Sequence, residues 1–349
     1  MPVQSQFDQV LDFAREREAN YQTRFLLGHY TIELRSFTAN FHQRVLTAFC
    51  HLPILTSPFP DNRNKADLTI SFWDDETTAW STPELNSSDQ KPGRVVFHDG
   101  DTRFAWDCTS RSWMIYDGAN RQGYWRTPSL STIAAHEFAA PFRTIFHWWS
   151  SDLDMQLVHA AAIGRNDGGI LLVGRGGSGK STTALSVLGS SQLGFAGDDY
   201  CLVSVSQNPE VTSLYGTGKG DADSASRIPH LQRSFHQSDL RVDGKSVVYP
   251  ALICPESMIV KMPLRAVVTP VISLRTQAQL SPIGKIAALR SLAPSTLLQM
   301  PGERSKAMVR LTDLVKALPC FELQLTDNPA DCHDAIDTLL TRLSQNTEL

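Results

Sequence analysis

The chain has 349 residues, of which 42% are hydrophobic and 19% charged, as is typical of a folded protein with one large core or two ordinary ones. Lys and Arg total 32 against 36 Asp and Glu, and this net charge of −4 argues against a nucleic acid or a membrane as a partner. The six cysteines lack CxxC spacing, and no apolar run approaches the ~20 residues of a membrane-spanning helix. We therefore expect a cytoplasmic protein with free thiols and two domains.

Residues 1–148 are predicted to form a smaller α+β accessory domain, whose role the sequence does not indicate. An amphipathic helix is expected at residues 7–14, and short aromatic and β-branched runs follow it. The clearest predicted strands are residues 68–73, 94–97 and 112–116, with turn signals at 92–93, 99–100 and 117–118. The apolar residues 129–150 predict a helix.

Residues 149–349 alternate strand-like and helix-like segments, which predicts an α/β domain with a sheet covered on both faces. The predicted strands are residues 157–163, 170–173, 193–203, 264–272 and 320–325. The predicted helices are residues 182–188, 285–292, 306–318 and 331–343. The segment 193–203 is unusual because two adjacent acids, Asp198 and Asp199, interrupt it.

The sequence GRGGSGKS at residues 174–181 joins the predicted strand 170–173 to the next helix. Glycines allow backbone N–H groups to surround phosphate oxygens, because no side chain blocks the approach. In such a loop Lys180 reaches the β- and γ-phosphates, and the Ser181 hydroxyl ligates Mg²⁺. The sequence therefore predicts a P-loop (Walker A motif) that binds ATP and magnesium. The predicted nucleotide contacts are Gly174, Arg175, Gly176, Gly177, Ser178, Gly179, Lys180, Ser181 and Thr182.

Asp198 and Asp199 provide carboxylates downstream of this loop. A carboxylate at such a position can hold Mg²⁺ or accept the proton of an attacking hydroxyl. Because neighbouring residues on a strand point in opposite directions, we expect the two acids to divide these roles. Taken without the glycine loop, the pair is equally compatible with a turn that carries two solvated acids.

Residues 157–188 and 194–203, including LVHAAAIGRNDGGILLVGRGGSGKS and GFAGDDYCLV, resemble the catalytic core of the bacterial HPr kinase/phosphorylase family. The fold of that family is related to phosphoenolpyruvate carboxykinase. The family shows a His at the end of a strand, a hairpin, the glycine loop and an Asp-Asp pair in this order. The resemblance implies that Asp198 is the general base on a substrate hydroxyl, that His159 assists it, and that Asp199 is nearer the metal. Which of the two acids is the base stays open.

The chain departs from that family after the acidic pair. The family's Glu-Ile-Arg-Gly-type signature is not found, so HPr itself is not the expected acceptor. A glycine-containing loop at residues 213–220 takes its place, and its Lys219 could reach a phosphate. We therefore expect a serine kinase-like phosphotransferase whose acceptor is a hydroxyl-bearing small molecule, peptide or protein.

The same residues are compatible with other functions. The site could belong to a regulatory or assembly module that binds ATP without phosphotransfer, or it could run the transfer in reverse. Residues 64–67 spell the guanine-reading NKxD pattern, but a GTPase places that pattern after the phosphate loop. The scattered histidines and cysteines argue against zinc. The sequence leaves open the acceptor, the choice between ATP and GTP, and the oligomeric state.

Overall fold

The computed structural model describes residues 11–12, 14–56, 65–80, 94–189, 192–273 and 276–345. Most of the helix predicted at residues 7–14, and the turn signal at 92–93, lie outside the described residues. The chain divides into two compact units, one of Met1–Thr47 with Leu52–Asp152 and the other of Ala48–His51 with Leu153–Leu349. The short segment Ala48–His51 therefore belongs to the second unit.

Within the described residues, the first unit is built on a mixed sheet of seven strands in the order β1-β2-β3-β7-β6-β5-β4. The strands β2, β3 and β7 run parallel, and the other neighbouring pairs are antiparallel. The three strands predicted here are confirmed. The elements are β1 (Tyr21–Leu27), β2 (Tyr30–Ser36), α1 (Ala39–Leu46), β3 (Leu68–Asp74), α2 (Asp75–Thr78), β4 (Arg94–Asp99), β5 (Thr102–Asp107), β6 (Ser112–Asp117), β7 (Gln122–Thr127), α3 (Ala135–Ala139) and α4 (Arg143–Ser151).

Aromatic side chains fill the interior of this first unit. The ring of Phe41 meets those of Phe72 and Trp125 edge-on, with centroids 5.0 Å apart in both pairs. The single helix predicted at residues 129–150 is wrong, because α3 and α4 are separate helices. Pro141 disfavours a helical conformation at the residue before it, and Phe142 adopts a left-handed φ of 59°.

The second unit is α/β, with a nine-stranded mixed sheet among its described residues and a separate small sheet in the order β14-β16-β15. Its strands are β8 (Met155–Val158), β9 (Ala161–Arg165), β10 (Gly168–Leu172), β11 (Gly194–Gly197), β12 (Cys201–Ser204), β13 (Glu210–Ser213), β14 (Gly218–Gly220), β15 (Arg241–Val242), β16 (Lys245–Val248), β17 (Lys261–Ile272), β18 (Gln279–Pro282) and β19 (Cys320–Leu325). Its helices are α5 (Lys180–Ser186), α6 (Ala222–Arg227), α7 (Gln232–Gln237), α8 (Pro250–Ile253), α9 (Lys285–Gln299), α10 (Arg304–Ala317) and α11 (Pro329–Ser344).

The side chains of β10 and of Val173, the residue after it, show how this sheet is covered. Ile170 and Leu172 pack with residues of α5 and α11, whereas Leu171 and Val173 pack with residues of α9 and α10. This alternation places helices on both faces, as the pattern of elements predicted. No helix in the described part of the chain combines the length and apolarity needed to cross a membrane.

The nine-stranded sheet divides into two arms that share β17. The first residues of β17 pair with β13, while later residues pair with β10 and β19. The segment 157–163, predicted as a single strand, is wrong in this respect, because it breaks and continues in the other arm. The segment 193–203 breaks in the same way, at the two acids that interrupt it. The breaks lie side by side, since the Ala160 N–H donates to the carbonyl of Asp199 at 3.1 Å. His159, Asp198 and Asp199 therefore lie where the sheet divides.

Candidate functional site

The glycine loop follows β10 and ends where α5 begins at Lys180. Gly174, Gly177 and Gly179 have φ values of 154°, 77° and 96°, in the range that favours glycine. A Cβ at Gly174 would come within 2.8 Å of the Ser178 hydroxyl, and one at Gly179 would collide with Leu325. The backbone conformation and the close packing thus both require glycine in this loop.

The Lys180 side chain closes the loop from inside. Its ammonium group donates to the carbonyls of Gly174 at 2.7 Å and Arg175 at 3.1 Å. Burial lowers the pKa of Lys180, although the charges of Asp198 and Asp199 raise it. The Ser178 hydroxyl is buried and has no hydrogen-bond partner among the described residues. A buried cation and an unused hydroxyl are suited to an anionic ligand.

Asp198 is only 2% exposed and lies beside the start of α5. Its Oδ2 accepts a hydrogen bond of 3.0 Å from the Lys219 N–H. Burial and the charge of Asp199 raise the pKa of Asp198, while the Lys219 N–H and the Ser181 hydroxyl act in the opposite direction. The other oxygen, Oδ1, is buried without a well-formed hydrogen bond to any described residue. The site thus holds a carboxyl group that binds a proton more readily than usual and has one oxygen available.

Asp199 occupies a strained turn rather than a strand. Its φ is 67°, and the Tyr200 N–H donates to the Asp198 carbonyl at 2.8 Å, as in a γ-turn. Left-handed conformations at residues other than glycine are costly and concentrate at functional sites. We expected the two acidic side chains to point in opposite directions because neighbouring residues alternate along a strand. That reason is wrong, because Asp199 lies in a turn. The turn, not a strand, separates their side chains.

The Asp199 carboxylate contacts two basic side chains. It forms an ion pair with the Lys219 ammonium, and its Oδ1 lies 3.5 Å from Nε2 of His159. Burial would raise the pKa of Asp199, but the hydrogen bond from His159 and the charge of Lys219 lower it below its ordinary range. The two neighbouring acids thus have opposite tendencies, because Asp199 stays ionised more readily than Asp198.

His159 is held by residues for which we predicted no role. Its backbone N–H donates to the Thr296 hydroxyl at 3.0 Å, and its ring lies 5.6 Å from that of Tyr200. The Tyr200 hydroxyl donates to Oε1 of Gln299 at 2.6 Å. Nδ1 of His159 is buried and has no hydrogen-bond partner in the described ranges. Thr296 and Gln299 come from α9, far along the chain, and no local motif identifies them.

Lys219 lies on β14, paired with β16, and not on the flexible loop that we expected. Burial lowers the pKa of Lys219, but the charge and hydrogen bond of Asp199, together with the charge of Asp198, raise the pKa overall. Lys219 is therefore a cation whose ammonium pairs with the Asp199 carboxylate. Gly218 and Gly220 on either side of Lys219 pack closely, because a Cβ at the first would collide with Leu185 and one at the second with Phe235.

The segment Ala48–His51 supports the chain just before β14. The Gly216 N–H donates to the Ala48 carbonyl at 2.8 Å, and Nε2 of His51 lies 2.9 Å from the Ser213 hydroxyl. Burial lowers the pKa of His51 to about 4, so the ring is neutral in the folded protein at neutral pH. Sequence analysis missed this support, because His51 and Ser213 are separated by 162 residues.

The structure brings most of the candidate residues together. Lys180, Asp198, Asp199, Lys219 and His159 form one cluster at the glycine loop, joined by the contacts above, and Ser181 adjoins it through Asp198. Thr182 points elsewhere, with its hydroxyl 2.9 Å from that of Ser224. The loop residues Arg175, Gly176 and Gly177 are exposed.

Magnesium is compatible with this set of donors. Mg²⁺ prefers oxygen ligands, keeps several waters and is usually held by one or two carboxylates together with phosphates. The Ser181 hydroxyl and the Asp199 carboxylate are donors of this kind, and Asp199 already holds a cationic group. In the described part of the chain, no three His, Cys, Asp or Glu side chains converge as a metal site. A metal here would therefore take its other ligands from phosphate and water.

No protein-family model matches the chain, and no curated protein is significantly similar to it. Among solved structures it is similar to the Hpr(Ser) kinase/phosphatase from Coxiella burnetii, with a TM-score of 0.31 and 10% identity. The similarity covers 54% of this chain and 99% of that chain. A functional assignment therefore rests on the residues of the site itself.

Proposed function

We propose that the protein is an ATP- and Mg²⁺-dependent kinase that transfers the γ-phosphoryl group to a hydroxyl. The observation that supports this most is the position of Asp198, a buried carboxylate next to the Ser181 hydroxyl and close to the Lys180 ammonium. A protein that only binds nucleotide has no use for an acid with an unpaired oxygen at this point. The acceptor is the hydroxyl of a small molecule, a peptide or a protein.

The residues of the cluster divide the work as follows. Lys180 and the backbone of the glycine loop bind the phosphates, and the Ser181 hydroxyl with the Asp199 carboxylate would hold Mg²⁺. The metal, when bound, neutralises charge on the β- and γ-phosphates. Asp199 suits this role because its pKa is lowered and its carboxylate stays ionised. The Lys219 ammonium, which now pairs with Asp199, would shift toward the phosphates.

Asp198 acts as the general base. A base works best when its pKa is raised toward the working pH, and burial raises the pKa of Asp198. The Oδ1 of Asp198, which has no well-formed hydrogen bond to a described residue, can accept the proton of the acceptor hydroxyl. The acceptor oxygen bonds to the γ-phosphorus as the bond from phosphorus to ADP breaks. His159 positions Asp199 through its Nε2 contact, so that Asp199 would hold the metal while Asp198 acts as the base.

The test measures transfer of label from γ-labelled ATP with Mg²⁺ by the full chain. Host-cell extract, split into protein and small-molecule fractions, supplies the acceptor, and Asp198→Asn serves as the matched variant. We expect label in one fraction with the wild type only. Absence of label in both fractions despite ATP binding would overturn the kinase proposal and favour a regulatory module. Equal labelling by the variant would overturn the role of Asp198.

A further inference from the structure

The small sheet carries a second lysine on the face that holds Lys219. The strand β14 pairs with β16 so that Lys219 lies opposite Val247. Directly opposite residues share a face of a sheet, and so do residues two apart on one strand, which places Lys245 on the same face as Lys219. On that face the Lys219 ammonium pairs with Asp199. Two lysines of the small sheet are thus presented to the same site.

A tight turn fixes the position of Lys245. The strands β15 and β16 are joined by Asp243 and Gly244, whose φ values of 50° and 78° are both left-handed. A type I′ turn requires such values at both of its central residues, and Asp-Gly is one of the pairs that it prefers. Lys245 follows this turn directly and lies opposite Val242. A short hairpin, rather than a long loop, therefore places the backbone of Lys245.

The Lys245 side chain is half-buried near Lys180, and no acid pairs with it. Burial lowers the pKa of Lys180, and the charge of Lys245 acts in the same direction, as expected of two cations close together. Asp221 follows β14, but its Oδ1 accepts from the N–H and the hydroxyl of Ser224, both at 2.9 Å. Within the described ranges, the Lys245 ammonium forms no ion pair or hydrogen bond. A half-buried cation beside another cation is suited to an anionic ligand.

The small sheet also borders the proposed base. The Lys219 N–H donates to Asp198 at 3.0 Å, so β14 lies beside the place where the acceptor hydroxyl would lose its proton. The γ-phosphate of ATP is the phosphate that receives the acceptor oxygen, and it must therefore lie next to this base. Because β16 pairs with β14, we expect a cation on β16 to meet the γ-phosphate rather than the α-phosphate.

We propose that Lys245 is a further catalytic residue, whose ammonium contacts the γ-phosphoryl group during transfer. The inference rests on the proposed function, because it assumes that the glycine loop binds the phosphates of ATP. It goes further by assigning a role to the hairpin of β15 and β16, which lies outside the glycine loop and the acidic pair. Lys245 keeps its proton throughout and stabilises the negative charge that spreads over the γ-phosphoryl oxygens.

The experiment compares two ligands that differ in the γ-phosphoryl group, namely ADP and the non-hydrolysable β,γ-imido analogue of ATP. Affinities for both, with Mg²⁺, are measured on the full chain by calorimetry. The variants are Lys245→Gln, which removes the charge, and Lys245→Arg, which keeps it. The matched control is Arg241→Gln in the same hairpin. Arg241 lies opposite Ser246, so it lies on the other face of the small sheet, and its variant removes the same charge.

We expect Lys245→Gln to lose roughly tenfold in affinity for the ATP analogue, as for a lost charge-assisted contact, and to keep its affinity for ADP. Lys245→Arg should lose less, and Arg241→Gln should bind both ligands as the wild type does. An unchanged ratio of the two affinities in Lys245→Gln, or the same change of ratio in Arg241→Gln, would overturn the inference. A wild type that binds neither ligand would instead overturn the proposed function.

Discussion

The backbone N–H of Lys219 donates to Oδ2 of Asp198 at 3.0 Å, although 21 residues separate the two in the chain. This bond couples the acid at the division of the large sheet to β14 of the small sheet. The chain before β14 is in turn held by Ala48–His51 through the Gly216 N–H and the Ser213 hydroxyl. The position of the proposed base therefore depends on residues that are far from it in sequence.

The first prediction concerns the cost of keeping Asp198 charged. Because its folded pKa is raised, the folded protein holds a proton that the unfolded chain loses as the pH rises above about 4. The wild type therefore loses stability with rising pH through this group, and Asp198→Asn avoids the loss. We expect the variant to be more stable at pH 7 by about 0.5–2 kcal/mol, with the difference closing toward pH 4. Urea unfolding at several pH values measures this.

Asp199→Asn should have the opposite effect on the free energy of unfolding. The folded pKa of Asp199 is lowered, so its ionised form stabilises the fold above about pH 4, and this stabilisation is lost as the pH falls through the folded pKa. Losing the bonds to Lys219 and His159 should cost about 1–3 kcal/mol at pH 7. The same unfolding series measures it, and stabilisation by both Asp→Asn changes would contradict the assigned contacts.

Lys180→Met tests the loop without leaving a cavity. The methionine keeps the apolar stem but cannot donate to phosphate, so ATP affinity should fall roughly tenfold to hundredfold. Calorimetric titration with ATP and Mg²⁺ measures the change. Lys316→Met is the control, because the Lys316 side chain is 69% exposed. Undiminished affinity in the Lys180 variant would remove this lysine from the proposed nucleotide contacts.

Elements with strong local patterns were predictable from the sequence. The strand β19 has the predicted bounds, Cys320–Leu325, since its apolar residues mark it clearly. The helix predicted at residues 285–292 continues to Gln299, with Pro294 inside it, and a proline normally indicates the end of a helix. Tertiary packing outweighs this local preference, since Leu292, Ala293 and Thr296 are buried around the proline.

The site was only partly predictable, for a related reason. Glycine loops and adjacent acids are local motifs, so Lys180 and Asp198 can be selected from the sequence. The break at His159 depends on the pairing of distant strands, and no local pattern encodes it. The adjacent acids mark the break at Asp199, but not the strands that pair on either side of it. Support from Thr296 and His51 is likewise long-range. The proximity of these residues is a structural finding, whereas their catalytic roles stay predictions.

The fourth prediction concerns the close approach between Gly216 and His51. A Cβ at Gly216 would come within 2.6 Å of Nδ1 of His51, and moving the ring would disturb the 2.9 Å contact of its Nε2 with the Ser213 hydroxyl. Gly216→Ala should therefore cost about 1–3 kcal/mol in denaturant unfolding, the usual range for overpacking. Gly284→Ala is the matched control, because Gly284 has a φ of −68° and no atom within 4 Å of its Cβ position. Equal stability of the two variants would show that the His51 ring moves aside without a cost in stability.

The last prediction concerns the pH dependence that His51 imposes on the fold. Burial lowers the pKa of His51 from 6.5 to about 4, while the unfolded chain has the ordinary value. Between these two pH values the unfolded chain binds a proton that the folded protein does not. The free energy of unfolding should therefore fall as the pH decreases from about 6.5 to about 4, by roughly 3 kcal/mol at about 1.36 kcal/mol per pH unit.

His51→Gln separates this titration from the contact that the ring makes. Glutamine cannot take up a proton in this range, but its amide can still hydrogen-bond to the Ser213 hydroxyl. The variant should therefore decline less in stability between about pH 6.5 and 4, as followed by urea unfolding at half-unit steps. The remaining decline belongs to groups such as His42 and His333, whose pKa values burial also lowers. His236→Gln, at an exposed histidine, should leave the decline in place. A decline as steep in the His51 variant as in the wild type would show that His51 does not contribute to it.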